Sequence, residues 1–217
     1  MEPATEDFYG SGARRMQEVI GTRQLAEHIA ERYVNGLLDE DATDIVRNAD
    51  CFYLATADGK GFPECSYKGG LPGFVKVPEP DTLIFPSYDG NGMFRSLGNI
   101  IENPRVGLLF IDYRKPIKLR VNGNAAVTTE SRYLDLFHDA DAAIRVDVRQ
   151  VFENCPRYLH GIRNEGYSPY VPRPGAVAPD PEWKLKAEYE GIVRLNGRAA
   201  NVARHLAIDA LTKALHD

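Results

Sequence analysis

The sequence lacks the features that mark several common classes of protein. Three cysteines, Cys51, Cys65 and Cys155, form no CxxC pair, which speaks against a disulfide framework or a structural zinc site and favours a reducing compartment. No apolar run approaches the length of a transmembrane helix, and the acidic start MEPATEDFYGSG does not resemble a secretion signal. We therefore expect a cytoplasmic protein that is not bound to a membrane.

Familiar nucleotide, hydrolase and metal motifs are missing as well. The chain contains no GxGxxG, GxxxxGK[ST] or GxSxG pattern, so no motif indicates a Rossmann dinucleotide-binding protein, a nucleotide hydrolase or an esterase. Its five histidines show neither HxH nor HxxxH spacing, and no metal site is expected. A net charge of -5 speaks against broad binding to nucleic acid.

What the sequence does contain is a series of short strand patterns with few helices between them. A DG turn at 58–61 is a strong hairpin signal. Helices are expected at 14–34, broken near Gly21, and at 42–48, 131–139 and 198–216. Strands are expected at 51–57, 62–68, 74–77, 83–87, 106–112, 117–127 and 144–152. This order is typical of a mainly β fold, a closed or split β-barrel with flanking helices, and not of a doubly wound parallel sheet.

The same patterns suggest how the chain is divided. Residues 1–13 read as a polar tail, and residues 14–163 as the barrel with its N-terminal helices. Residues 164–217 combine a proline-rich stretch, which excludes regular helix or central strand, with a C-terminal helix. We expect this last part to pack on the barrel or on a partner.

Residues 85–110 carry the strongest functional signal. Two apolar strands flank a glycine-containing turn and a short helix whose first turn holds Arg95 and Ser96. A helix start offers unpaired N–H groups to a phosphate, and arginine can hold phosphate oxygens. The pattern fits a phosphate clamp for a nucleotide cofactor, and it fits equally an ordinary connection with a solvated Arg95.

Other cations could serve the same anion. Lys76 lies on the strand that leads into this turn, where it could meet the phosphate or could act as an edge-strand lysine. The glycines in KGGLPGFVKV (68–77) imply a bulge or a ligand lying against the backbone. Lys118 and Arg120 are two residues apart and share one face of their strand, which faces either an anion or solvent.

FPSYDGNGMFRSLGNIIENPRVGLLF (85–110) resembles the cofactor segment of the pyridoxamine 5'-phosphate oxidase-like split-barrel superfamily, whose members bind FMN. The resemblance extends over about residues 14–171 and includes GTRQLAEHI, KGGLPGFVKV, LRVNG and NCPRYLH. It is similar to a flavin-nucleotide-binding subfamily of unassigned substrate. The resemblance implies a split barrel, a homodimer with FMN at the subunit interface, and an oxidoreductase that transfers hydride or electrons to a small molecule.

The resemblance also implies roles for particular residues. Arg95 matches the arginine that grips the FMN phosphate, whereas Ser96 stands where the oxidases have a lysine, and Lys76 would restore part of the positive field. Lys118 falls near a glutamine that contacts the flavin ring. The polar contacts to the ribityl chain and phosphate would come from Ser87, Tyr88 and Asn91.

Part of the family pattern is missing. The tryptophan- and arginine-containing strand that binds substrate in the oxidases has no counterpart in the C-terminal part of this chain, so the resemblance does not predict pyridoxamine phosphate as substrate. The alternatives are a flavin or haem carrier or sensor without turnover, with His205 and His216 as the histidines on offer, and a deazaflavin-dependent reductase.

Overall fold

The structure is a computed structural model that describes residues 8–88, 93–113, 115–137, 140–160, 180 and 182–191. These residues fall into two compact units. One unit spans Val34–Pro156, and the other includes residues 8–33 together with the described part of 157–217. The boundaries expected from the sequence, with a tail at 1–13 and a division at 164, stay a prediction.

The smaller unit contains a helical hairpin at its N-terminal end. Helix α1 spans Ser11–Ile20 and helix α2 spans Arg23–Tyr33. Gly21 separates them in the left-handed conformation, with φ of 70°, so the expected break near this glycine is confirmed. Arg23 of α2 joins the helices through an ion pair of 2.7 Å to Glu18 of α1, and it also pairs at 3.0 Å with Glu27 of its own helix. Two short 3₁₀ helices, Glu182–Leu185 and Ala187–Tyr189, belong to the same unit.

The larger unit is a seven-stranded antiparallel sheet with three short helices. The helices are α3 (Glu40–Asn48), α4 (Arg95–Glu102) and α5 (Ser131–Leu134). The strands are β1 (Cys51–Ala57), β2 (Pro63–Gly69), β3 (Lys76–Glu79), β4 (Thr82–Ser87), β5 (Arg105–Asp112), β6 (Ile117–Thr128) and β7 (Ala142–Glu153).

The order of the strands shows why the barrel is split. They are hydrogen-bonded in the order β2-β1-β5-β6-β7-β4-β3, so β2 and β3 form the two edges of one curved sheet. Residues 70–75 connect these two edges directly. The sheet therefore has an open seam between the β2 edge and the β4–β3 edge, and the expected mainly β split barrel with flanking helices is confirmed.

The core of the barrel is built from the inward positions of the strands. Alternate residues of β1, β5 and β6 are buried, which is the period of two that a half-buried strand requires. Phe52 lies at the centre, with ring centroids 5.0 Å from Phe85, 5.1 Å from Phe110 and 5.8 Å from Phe74. Aromatic contacts in this range add to the free energy gained by burial.

A bulge bends the longest strand pair. The register of β6 against β7 shifts between Asn122 and Gly123, which places Arg149 at the bulge. A Cβ atom on Gly123 would lie 2.4 Å from the backbone oxygen of Asp147, so only glycine fits. Such a bulge increases the local twist and helps a sheet to curl.

The helices and strands expected from the sequence agree with the structure apart from a few ends. All seven strands are present within two residues of the expected bounds. The helix expected at 131–139 ends at Leu134 and continues as turns through Phe137, whereas the helix expected at 198–216 lies outside the described residues. No helix in the described part of the chain is long and apolar enough to cross a membrane.

Candidate functional site

The candidate site lies at the open seam of the barrel. A cavity of about 200 Å³ is lined by residues of β2, β4 and α4 and of the segment that joins β2 to β3. Its apolar wall comes from the core side of the sheet and its mouth carries polar groups. The lining residues are Leu54, Tyr67, Lys68, Gly69, Phe74, Phe85, Pro86, Ser87, Tyr88, Leu97 and Ile144.

Helix α4 begins beside this cavity with an unusual backbone. Phe94, its N-cap residue, has φ of 48° and ψ of 26°, and it is the one described residue other than glycine with a positive φ. This conformation costs an L-residue roughly 1–2 kcal/mol. The Phe94 side chain makes no capping hydrogen bond, so the first N–H groups of the helix have no side-chain acceptor from this residue. A helix start that has no side-chain cap and is entered through a strained residue suits an anion at this position.

A hydrogen-bonded network connects the first turn of α4 to β1 and β2. Lys68 Nζ donates to Ser96 Oγ at 3.3 Å, and Ser96 Oγ donates to Glu64 Oε2 at 3.1 Å. Thr56 Oγ1 donates to the same Glu64 oxygen at 3.3 Å and accepts from Asn99 Nδ2 at 2.9 Å. Two donor chains therefore converge on one carboxylate oxygen.

The hydroxyl of Ser96 is fully used within this network. Its single proton goes to Glu64, and its two lone pairs face Lys68 and Ser66, whose Oγ lies 3.0 Å away. Ser96 is also only 5% exposed. The side chain of Ser96 therefore has no donor left for a ligand.

Two cations flank the network. Arg95 is 56% exposed, and its Nε lies 3.9 Å from Glu64 Oε1, a distance at which the pair interacts weakly in water-accessible surroundings. Burial lowers the pKa of the Lys68 ammonium, and the Glu64 carboxylate opposes that shift. A half-buried ammonium with a lowered pKa gains from any further anion that approaches it.

The structure brings four of the predicted residues together. Arg95 and Ser96 lie in the first turn of α4, as expected, and Ser87 and Tyr88 line the adjacent cavity. Asn91 lies outside the described residues, as do His205 and His216 of the haem alternative. The roles of all these residues in binding stay predictions.

Two of the predicted cations lie elsewhere. Lys76 lines a separate cavity with Arg47 and Leu136, because β3 runs along β4 and places Lys76 opposite Ile84. Lys118 pairs with Ile111 on β5, and its neighbour Leu119 points into the core. Lys118 therefore lies on the outer face of the sheet and does not line the seam cavity of its own protomer.

Sequence reasoning missed Lys68 and Glu64. The signal for both was the alternation of β2, in which Glu64, Ser66 and Lys68 are partly buried and Pro63, Cys65 and Tyr67 are exposed. Residues two apart share a face of a strand, so the sequence PECSYKG predicts that Glu64, Ser66 and Lys68 lie on the same face. Which helix these side chains face depends on the closure of the sheet, and local sequence does not give it.

The glycines of KGGLPGFVKV have a structural explanation. A Cβ atom on Gly69 would lie 2.8 Å from the ring of Tyr67, and one on Gly70 would lie 2.6 Å from the ring of Phe74. These two glycines make room for aromatic rings of their own segment. The ligand lying against the backbone that the sequence suggested is not needed to explain them, although Gly69 does line the cavity.

These features define a split β-barrel whose open seam carries cationic side chains and a helix N-terminus beside a cavity that has one apolar wall. A family model described as pyridoxamine 5'-phosphate oxidase matches residues 38–156, more than half of the chain. The chain belongs to this family of split barrels. The match includes the whole sheet, α3, α4 and α5, and thus every residue of the network described above.

Comparison with other proteins adds little beyond the family. No curated protein sequence matches the chain. Among solved structures, HupZ of Group A Streptococcus is 20% identical, with a TM-score of 0.45 over 61% of this chain and 98% of HupZ. General Stress Protein 26 of Bacillus anthracis is 14% identical, with a TM-score of 0.40 over 50% of this chain and 87% of that protein. The heme storage protein HutZ of Vibrio cholerae is 15% identical, with a TM-score of 0.36 over 52% and 90%. Likenesses at these TM-scores carry no argument about function.

Proposed function

We propose that the protein binds FMN at the open seam of its barrel and acts as an oxidoreductase on a small molecule. The observation that carries the proposal is that Lys68, which lines the cavity, is hydrogen-bonded to Ser96 in the first turn of α4, the turn that also holds Arg95, while apolar side chains line another wall of the same cavity. A phosphate suits the cations and the helix start, and a flat aromatic ring suits the apolar wall. FMN carries both groups.

Each part of the site would hold a different part of the cofactor. Arg95, Lys68 and the first N–H groups of α4 would hold the phosphate. Ser87 and Tyr88 would contact the ribityl chain, with Asn91 as expected from the family resemblance. Phe85 lies in the wall of the cavity and excludes water from its inner end. FMN supplies hydride or single-electron transfer when bound, and the protein orients it and tunes its electronics.

The dimensions of the site favour a homodimer. A cavity of about 200 Å³ is smaller than the roughly 300–1,000 Å³ of ordinary cofactor pockets. Tyr67 and Tyr88 line it and are nevertheless 62% and 42% exposed, and exposed aromatic groups of this kind mark interaction surfaces. A second copy would complete the walls around the flavin. Lys118, on the outer face of its own barrel, would then reach the ring only across that interface.

Binding of FMN is the first test. Purified protein that is yellow, or that quenches the fluorescence of added FMN at micromolar concentration, supports the proposal, whereas colourless protein that binds no added FMN refutes it. Arg95→Ala should weaken FMN binding by about 1.5–3 kcal/mol if Arg95 holds the phosphate. Arg132→Ala is the matched control, because Arg132 is exposed, contacts only Glu130 and the ring of Tyr133 among the described contacts, and lies outside the cavity.

A second measurement separates an enzyme from a carrier. Anaerobic mixing of the FMN-loaded protein with NADH or NADPH should bleach the flavin absorption if the protein is a reductase. Retention of full absorption with both donors would favour a carrier or sensor. Deazaflavin binding in place of FMN, measured in the same titration, would favour the deazaflavin-dependent reductase. A location in the cytoplasm stays a prediction from cysteine usage.

A further inference from the structure

Glu64 is the feature of the site that a phosphate clamp does not explain. Its carboxylate lies among the groups that would hold the phosphate and is only 18% exposed. It accepts hydrogen bonds from Ser96 and Thr56 and faces Arg95. A negative charge at this position repels a second anion, so a clamp built only for affinity would not contain it.

We propose that Glu64 is a specificity-determining residue of the clamp: it is an internal anion against which any ligand phosphate must compete for Arg95 and Lys68. The inference rests on the proposed use of this seam as a phosphate site. The consequence is that Glu64 lowers affinity for phosphate-bearing ligands selectively, and leaves the binding of the ring and ribityl chain unaffected.

The hydrogen bonds show why the carboxylate cannot simply move away. Oε2 accepts from two donors whose own partners are fixed, since Thr56 and Ser96 are each 5% exposed and Asn99 is 9% exposed. A carboxylate that leaves would strand two buried hydroxyl donors, which is costly. Glu64 therefore stays in place when a ligand arrives, and its charge is felt by the incoming phosphate.

Arg95 is the group that changes partner. Its guanidinium is more than half exposed and is 3.9 Å from Glu64 Oε1, beyond hydrogen-bond distance. It can therefore turn to a phosphate at small cost. Lys68 does not need to change partner. Its ammonium donates one proton to the Ser96 hydroxyl and retains two further protons for a ligand.

The test compares Glu64→Gln with wild type in binding FMN and riboflavin, which differ by the phosphate alone. Glutamine keeps an acceptor for Ser96 and Thr56 and removes the charge. We expect FMN affinity to rise about tenfold or more in Glu64→Gln, with riboflavin affinity unchanged. Glu102→Gln is the control: Glu102 lies at the other end of the same helix, accepts from Gly59 N at 2.8 Å, and loses the same charge. It should leave both affinities as in wild type.

Other outcomes overturn the inference. Equal losses of FMN and riboflavin affinity in folded Glu64→Gln would show that Glu64 accepts a bond from the ligand. Unchanged FMN affinity, or an equal gain in Glu102→Gln, would show that the charge of Glu64 plays no selective part. If Glu64→Gln does not fold, Glu64→Ala combined with Ser96→Ala removes the charge together with one of the two hydroxyls that it serves, and this double variant is compared with Ser96→Ala alone.

A measurement with inorganic phosphate separates this inference from the assignment of FMN. The melting temperature of Glu64→Gln should rise with added phosphate more steeply than that of wild type or Glu102→Gln, with matched concentrations of chloride as reference. If no variant binds a flavin but this difference is present, the proposed cofactor is wrong and the role of Glu64 stands. If FMN binds and the difference is absent, the cofactor stands and the role of Glu64 fails.

Discussion

Exchange of Lys68 and of Lys76 for methionine distinguishes two versions of the phosphate clamp. The family resemblance assigns the second cation of the clamp to Lys76, whereas the structure places Lys68 beside Ser96 and Lys76 in a separate cavity. Methionine preserves most of the length and the apolar stem of lysine and removes the ammonium, with its charge and its hydrogen-bond donors. Both residues lie in the same unit of the protein, so the two variants form a matched pair.

The expected magnitude follows from the position of the Lys68 ammonium. It is half-buried, its pKa is lowered by burial, and it donates to the hydroxyl of Ser96. A charge-assisted hydrogen bond from such a group contributes about 1.5–3 kcal/mol, which corresponds to a roughly 10- to 150-fold rise in the Kd for FMN. Lys68→Met should show this rise, and Lys76→Met should bind FMN as wild type does.

Titration of FMN by fluorescence quenching measures the effect, with riboflavin titrated in parallel. Because riboflavin has no phosphate, its affinity should not change in either variant. The reasoning is refuted if Lys76→Met weakens FMN binding and Lys68→Met does not. It is also refuted if Lys68→Met weakens riboflavin and FMN equally, since the ammonium would then act on the ring or on the shape of the cavity.

Three further predictions concern the fold around the site. Phe94→Gly should raise the free energy of unfolding, measured by urea denaturation, by about 1 kcal/mol, because glycine adopts the positive φ of 48° without strain. Unchanged or lower stability would mean that the contacts of the Phe94 side chain stabilise the fold by more than the backbone strain costs. Gly123→Ala should lower that free energy by about 1–3 kcal/mol, because the new Cβ would lie 2.4 Å from the oxygen of Asp147, and a stable variant would argue against the bulge. The hydrogen bond between Tyr113 and Tyr53, together with burial, raises the pKa of Tyr113 to about 12. Its neutral form stabilises the fold below pH ~10, the ordinary tyrosine pKa, and this contribution is lost as the pH rises from there through about 12. Tyr113→Phe should therefore show a smaller loss of stability over this range, and identical alkaline curves would contradict the shift.

The sheet itself could be predicted from local patterns. Alternation in CFYLATA and VGLLFID, with the DG turn between the first two strands, gives strands whose bounds agree with the structure. A strand with one buried face imposes a period of two on its sequence, and this information is contained within the strand. The glycine-rich turn before α4 likewise predicted a helix with Arg95 in its first turn, as found.

The composition of the site could not be predicted in the same way. Lys68 and Glu64 meet α4 because β2 is one edge of the open sheet and α4 packs against β1, β2 and β6. That neighbourhood depends on strand order, which no local pattern specifies. Lys76 illustrates the converse, since it is nearer to Arg95 in sequence and lies in another cavity. The sequence also does not show that all hydrogen-bonding positions of the Ser96 hydroxyl are occupied, because this depends on three partners from strand β2.

The charges of Glu64 and Lys68 on β2 could also protect the edge of the sheet against pairing with another chain. Measurements of ligand binding can separate this effect from a role in holding phosphate. An edge strand with free N–H and C=O groups is prone to pair with another chain, and inward-pointing charges such as Glu64 and Lys68 oppose that pairing. Loss of either charge could therefore promote aggregation without any role in a clamp. Protection against pairing depends on the presence of charge and not on its sign, so Lys68→Met and Glu64→Gln would both aggregate more. A clamp depends on the sign, because the first variant weakens phosphate binding and the second strengthens it. If FMN affinity, measured on monodisperse protein, falls in Lys68→Met and rises in Glu64→Gln, then the two charges act on the ligand and not only on the edge of the sheet.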